Sequence, residues 1–313
     1  MLPAQLRRWT VLQSQTQNSL LQEGRGIDHL VVVVKDLQST TKEYRDILGF
    51  DMSGSGRHPG GTENTVARFQ NETYLELLSI YDPTKATDIA AFLEKYEGAG
   101  AIGLNIGSAD ATSDFLRSRG IESETGSGTI KLENTDDAPS VLWKWVGLKP
   151  GTSISDSIFF IEYTPERVAF MKRHPERYSI GSHPNNARKL RSVWTTAKDL
   201  KEGAIPYETI GLHAKRQVSL DQMDAKGTEF QVGEGTILLL APTRDDSRTA
   251  IFLKQRGEGS ILGASIEVGD LSLAKHLLDK NGTEYQDYKG AYGQSILISP
   301  ERTHGFYLEM YQG

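Results

Sequence analysis

Three side chains at matching places in the chain carry the most chemistry. His29 heads "GIDHLVVVVKDL" (26–37), Glu76 lies inside "TYLELLSI" (73–80) and Glu162 inside "SIFFIEY" (157–163). One imidazole and two carboxylates make a hard, oxygen-rich donor set that suits Mn, Fe(II), Mg or Zn. Two carboxylates facing one apolar interior repel each other and resist desolvation, and a divalent ion removes both penalties. Held there, the ion would bind adjacent oxygens of a small substrate and stabilise an enolate or alkoxide, with Glu76, Glu162 or His58 moving the proton. A plainer reading stands beside this one. Glu76 and Glu162 would then alternate onto the solvent face of half-exposed strands, and His29 would be a packed, hydrogen-bonded histidine.

The elements that must position these residues come from an internal repeat. Four β-rich runs, 27–50, 101–122, 190–212 and 261–285, each lead to an aspartate: Asp36, Asp110, Asp199 and Asp270. The aspartates suit helix N-caps, and helical spacing followed by a glycine is clear in the first, second and fourth runs. Further apolar strands follow at 73–80, 157–163, 235–242 and 305–312. The unit is strand, helix, then two or three strands, and four units predict an α+β protein of two domains. The expected boundaries are an N-terminal arm at 1–25, a first domain at 26–172, a Pro/Asn/Arg/His-rich linker at 173–189 and a second domain at 190–313. Counting back seven residues from the aspartates gives His29, Gly103, Ser192 and Gly263, while the late strands offer Glu76, Glu162, Leu238 and Glu309. The metal donors therefore gather in the first half. The second half is expected to close the cup, line the pocket or form an interface, with Glu309 a surface or structural residue.

Composition narrows the partners. The net charge of -6 disfavours a phosphate backbone, and no apolar run approaches the length of a membrane span. A small-molecule substrate is expected, with neither nucleic acid nor membrane as partner, and a homodimer is compatible with the sequence. The absence of cysteine removes disulfides, thiolate ligands and a Cys nucleophile. The first residues lack the apolar core of a signal peptide, which points to a cytoplasmic protein, although a trimmed export signal would leave the same sequence.

The four βαβββ units, with "IDHLVVVVKDL", "GRHPGGTENTVARF", "TYLELLSI", "VLWKWVG" and "SIFFIEY", resemble the glyoxalase-like branch of the vicinal oxygen chelate superfamily. The resemblance spans residue 26 to the C-terminus. It implies paired units whose mixed sheets curl into cups, and a divalent metal that chelates neighbouring substrate oxygens. Similar family members share the pattern of His58, Pro59, Gly60, Gly61, Thr62 and Asn64, which makes Arg57 and His58 candidates for oxyanion binding and proton shuttling; a plain Gly-rich turn is the competing reading. Asn64 and Asn105 join the candidate substrate contacts. So do Trp143 and Trp145, as an aromatic wall if they face the cup and as core if they do not. The superfamily commonly places a ligand where this chain has Gly103, which weighs against a ring-cleaving dioxygenase. Lyase, isomerase or hydrolytic chemistry is the preferred expectation, and sequestration of a small molecule without catalysis is the rival. His174, His183, His213, His276 and His304 are expected to be loop or surface residues.

Overall fold

A computed structural model describes residues 25–131, 140–175, 178 and 180–313. The expected N-terminal arm therefore falls outside the described residues except for Arg25. Among the described residues, sixteen strands form two eight-stranded mixed sheets with the same strand order. The first unit runs β1 (Ile27–Val33), α1 (Leu37–Asp46), β2 (Ser53–Arg57), β3 (Thr62–Arg68) and β4 (Tyr74–Ile80). After α2 (Thr87–Lys95), the second runs β5 (Gly98–Asn105), α3 (Ala109–Ser118), β6 (Ser123–Gly128), β7 (Trp143–Leu148) and β8 (Ile158–Tyr163). Helix α4 (Pro165–Arg173) leads to the second domain: β9 (Ala187–Thr196), α5 (Leu200–Thr209), β10 (His213–Leu220), β11 (Ala225–Val232), β12 (Gly235–Pro242), α6 (Arg248–Arg256), β13 (Ile261–Val268), α7 (Leu271–Lys280), β14 (Gln286–Gly290), β15 (Gly293–Ile298) and β16 (Tyr307–Gln312).

Each unit holds its helix through a side-chain cap. Asp36, Asp199 and Asp270 accept backbone N–H bonds from the first turns of α1, α5 and α7. In the second unit the cap is Ser108, which accepts from Ala111, while Asp110 lies inside α3. The expected cap was therefore two residues late, and so was the register counted from it. The pairings give the true register: Leu30 faces Ile102 and Val193 faces Ala264, each six residues before its cap. Residues seven before a cap are His29, Ala101, Ser192 and Gly263.

Alternation along the strands divides the two faces of the first sheet. Leu30, Val32, Leu75, Leu77, Ile102, Leu104 and Phe160 enter a single buried cluster that continues through Leu190, Val193, Ile237 and Ile266 of the second domain. The halves are also joined by polar contacts. Asn185 Nδ2 donates to Leu48 O, and Leu190 N donates to Thr73 Oγ1. His304, expected at the surface, lies between Glu97 Oε2 and Glu43 Oε2 at 3.2 and 3.1 Å. His183 is buried rather than exposed: its Nδ1 accepts from Asp51 N and its Nε2 donates to Arg68 O, a neutral tautomer favoured because burial lowers its pKa.

The second cup is filled by its own side chains. Trp194, Leu238, Leu240, Leu262, Tyr288 and Leu297 form a separate apolar cluster. Trp194 Nε1 donates to the hydroxyls of Ser192 and Ser265, and Ser265 and Ser295 donate to the two carboxylate oxygens of Glu309 at 2.6 and 2.7 Å. Glu309 is fully buried and structural. Burial raises its pKa against the opposing pull of the two serine hydrogen bonds. The folded state therefore holds its proton more tightly than the unfolded chain does. The stability from this group is present below the ordinary glutamate pKa and is lost as pH rises through the higher folded value. Glu309→Gln should melt above the wild type at about pH 7, with the gap closing towards about pH 4; calorimetric melts across that range check it, and a constant deficit would contradict the assignment.

Candidate active site in the first cup

A β-bulge opens the site. Ile27 pairs with Leu104 and His29 with Gly103, so Asp28 is one residue too many for its partner strand. A bulge of this kind re-aims side chains that simple alternation would send to opposite faces. Asp28 Oδ1 and His29 Nδ1 meet at 2.6 Å. Gly103 makes the seat for the imidazole: a Cβ built there would lie 2.5 Å from His29 Cε1.

Two rows of side chains cross the cup from β1 through β4 to β3. In the first, His29 lies opposite Tyr74 and Tyr74 opposite Arg68. The His29 and Tyr74 rings stack at 4.5 Å, and the Arg68 guanidinium carbon lies 4.7 Å from the Tyr74 centroid. These separations match the spacing of neighbouring strands. In the second row Glu76 lies between Val31 and Val66. Its Oε2 is 3.4 Å from His29 Nε2, and its Oε1 accepts from Asn64 Nδ2 at 2.6 Å.

Tyr163 completes the floor from β8. Its hydroxyl donates to Asp28 Oδ1 at 2.6 Å and lies 3.2 Å from the Tyr74 hydroxyl, while Arg167 stacks over its ring at 3.3 Å. Burial pushes Asp28 towards the neutral acid, but the hydrogen bond and charge of His29, the Tyr163 hydroxyl and the charge of Arg167 together hold its carboxyl below the usual range. An ionised Asp28 accepts only, so Nδ1 of His29 carries the hydrogen and the second ring nitrogen faces Glu76. The approach of Nε2 to Oε2 is attractive when a proton sits between them. Asp28, His29 and Glu76 thus form one continuous buried polar chain. Burial raises the Tyr163 hydroxyl pKa well out of range, and that side chain stays a neutral donor.

Around this floor lies a cavity of about 930 Å³. His58 lines it, with Nδ1 2.8 Å from Thr62 Oγ1 and its ring edge-on to Trp143 at 5.8 Å. Burial lowers its pKa and keeps it neutral, although Glu76 pulls the other way. Trp143 and Trp145 lie over Gly128 and Gly126 of β6, where a Cβ would meet their rings at 2.2 and 2.4 Å. Both share the face of Ile161 and Tyr163, and Trp143 lines the cavity. Phe252, Arg256, Ser260 and Ile261 contribute lining from the second domain.

Other expected residues lie elsewhere. Glu162 accepts from Ala109 N at 2.8 Å, at the first turn of α3 on the helix side of the sheet, while Phe159, Ile161 and Tyr163 take the cup side. It supports a helix end and has no part in a shared site with His29. A single-residue offset in a strand is enough to change faces. The position equivalent to Glu76 is Phe159, since each lies opposite a residue five before its cap: Val31 for Glu76 and Gly103 for Phe159. Arg57 turns outward to Glu63 and Tyr81. Asn105 joins Arg25 to Asp28, so it positions the dyad and does not line the cavity. Asp28, Arg68, Tyr74, Tyr163 and Arg167 were not anticipated. Counting by twos from Asn64 through Val66 would have found Arg68; the bulge hid Asp28.

The donor set does not fit a metal site of three protein ligands. The four places that face one another in this unit pair hold His29, Ala101, Glu76 and Phe159, which supply one nitrogen donor and one carboxylate. Nδ1 of His29 is engaged by Asp28, which leaves Nε2 as its one free ring nitrogen donor. Among the described residues no three His, Asp or Glu side chains are grouped to hold an ion. No described helix is long and apolar enough to cross a membrane.

Two solved structures share the fold over nearly the whole chain, and a third aligns with less than half of it. A hypothetical protein from Staphylococcus aureus aligns over 92% of this chain and 98% of its own at 14% identity, with a TM-score of 0.59. A mutant of 4-hydroxymandelate synthase from Streptomyces coelicolor aligns over 93% of both chains at 18% identity, with a TM-score of 0.62. Methylmalonyl-CoA epimerase from Mycobacterium tuberculosis, 22% identical, covers 41% of this chain and 89% of its own, at a TM-score of 0.38. No curated protein matches. The sequence profile described as "Glyoxalase-like domain" matches residues 27–210, more than half of the chain. With the repeated units and cup-shaped sheets already described, that match makes the chain a member of the glyoxalase-like domain family of the vicinal oxygen chelate superfamily.

Proposed function

We propose that the first cup is the active site of an enzyme that moves a proton on a small carbonyl-bearing substrate, with isomerase or lyase chemistry as the outcome. The buried Asp28–His29–Glu76 chain carries this reading. His29 Nε2 is the base that takes a proton from the carbon beside the carbonyl, and Asp28 stabilises the imidazolium that forms. The imidazolium passes that proton from Nε2 to Glu76 Oε2, 3.4 Å away, and Glu76, held by Asn64, returns it to the substrate. His58, kept neutral by burial and with Nδ1 engaged by Thr62, offers Nε2–H to the developing oxyanion. Trp143 and Phe159 give the substrate an apolar wall. Sequestration without chemistry is a second reading, favoured by that same wall. It gives no role to a buried carboxylate–imidazole–carboxylate chain, which costs desolvation and is not needed to bind an apolar molecule.

The metal-dependent form of this chemistry, anticipated from His29, Glu76 and Glu162, lacks its third donor. After dialysis against Mn(II) or Zn(II), elemental analysis should find well under one equivalent retained. A full equivalent that disappears in both His29→Ala and Glu76→Ala would restore the metal-dependent mechanism.

The proton-transfer reading is tested by solvent exchange in D2O, followed by NMR on a panel of 2-oxo and α-hydroxyketone compounds. The wild type should place deuterium beside the carbonyl of at least one of them. His29→Ala should slow that exchange by about 10²–10⁴-fold. Asp28→Asn should slow it too, by releasing the ring orientation, while Glu162→Gln should leave it unchanged. Equal rates for wild type and His29→Ala would remove the proposal and leave sequestration standing.

A further inference from the structure

Arg68 is charged, 7% exposed and without a partner carboxylate among the described residues. Its strand end is pinned, because Arg68 O accepts from both Gly181 N and His183 Nε2. The guanidinium carbon lies 4.7 Å from the centroid of Tyr74 and 5.5 Å from that of Tyr178, and Nε is buried with no hydrogen-bond partner. Ring faces offset only part of the cost of burying such a cation, since they supply no oxygen to its N–H donors. A second guanidinium, Arg167, lies 5.8 Å from the same Tyr178 ring, so positive charge flanks that tyrosine. Both arginines line the cavity that holds His29 and Glu76. By contrast, buried Glu229 of the second domain has Arg216 at 2.8 Å. A buried cation lining a cavity with its donors unspent is what an anionic ligand would complete.

We propose that Arg68 receives a carboxylate of the substrate, so that the substrate of this cup is a carboxylic acid on an apolar, planar body. This rests on the proton-transfer reading for the identity of the site, though not for the binding itself. The row His29–Tyr74–Arg68 spans two strand spacings, roughly 10 Å between base and cation. One small molecule can therefore place its carboxylate at Arg68 and its reacting carbon near His29 Nε2, with its flat body against Trp143 and Phe159. Carboxylate is preferred over phosphate because a planar two-oxygen group matches the guanidinium fork. The rings beside the guanidinium, Tyr74 and Tyr178, are flat apolar walls that suit a planar group.

The test is isothermal titration calorimetry with phenylacetate, its neutral isostere phenylacetamide, and phenylphosphonate. The wild type should bind phenylacetate at least about tenfold tighter than the amide, as expected for one charge-assisted, two-pronged contact. Arg68→Gln should erase that preference and Arg68→Lys should keep part of it, each checked for an unchanged thermal melt. His29→Gln should lose deuterium exchange yet keep the acid-over-amide preference. That variant separates failure of the carboxylate subsite from failure of the proton-transfer reading. The proposal is overturned if the wild type binds acid and amide equally, binds neither at millimolar concentration, or prefers the phosphonate. It is also overturned if folded Arg68→Gln still discriminates. The wild-type comparison decides the matter even if every Arg68 variant is unstable.

Discussion

Everything particular to the first cup depends on one extra residue in β1. The bulge at Asp28 lets two sequence neighbours act at one place, and Gly103 leaves the room that the imidazole fills. Without the bulge, Asp28 would point into the helix layer and His29 would lose the carboxylate that orients it. Without the glycine, the ring would clash with the neighbouring strand. The two features depend on each other, and together they turn a plain strand start into the seat of an oriented imidazole. Bulges next to functional sites commonly serve this purpose.

The second domain shows the same scaffold put to the opposite use. Ser192 stands where His29 does, Ser265 where Gly103 does, Leu238 where Glu76 does, and Glu309 where Phe159 does, the place that repeats Glu76 in the other unit of the pair. In the second domain the pair of small hydroxyls bonds together, caps the Trp194 indole and satisfies the buried glutamate. Gly290 makes space for that carboxylate, since a Cβ there would lie 1.8 Å from Glu309 Oε1. The result is a packed interior. A glutamate at this place in the fold is therefore no sign of function by itself. What separates Glu76 from Glu309 is company: an imidazole and an open cavity in one case, two serines and apolar side chains in the other.

Much of the architecture was legible in the residues. The repeat, three of the four capping aspartates and the two-domain α+β organisation all follow from patterns of local origin. Helix caps and apolar alternation are set by near neighbours, and so they read directly from sequence. The misreadings share a different origin. Glu162, Asp28 and the Gly103 register depend on which residue of one strand faces which residue of another, and that is decided by pairing across tens of residues. Glu162 looked equivalent to Glu76 because each is the glutamate of an apolar late strand, but Phe159, three residues earlier and so on the opposite face, holds that place. Arg57 failed for a related reason: its strand offered Glu63 as a surface partner, and a flexible cation takes the exposed ion pair rather than the cavity. His183, in the polar linker, and His304, in the turn before β16, looked like loop histidines, yet the first ties the linker to the first domain and the second ties the second domain to the first.

That joining bears on the chemistry. Phe252, Arg256 and Ile261 belong to the second domain but line the first cup, and Arg256 Nη2 donates to Glu97 O across the junction while its guanidinium stacks 3.6 Å over Tyr96. An isolated first sheet would leave its concave face to water, where a carboxylate–imidazole contact is weak and an unpaired guanidinium is readily solvated. Covering the mouth with a second, solidly packed domain lowers the local dielectric. The interactions of Asp28, His29, Glu76 and Arg68 are strengthened by it, and an unmatched charge becomes more costly. The filled interior of the second cup is what allows this, because a lid must be rigid to exclude water. The packed interior of one half of the repeat is therefore part of what shapes the polar cavity of the other.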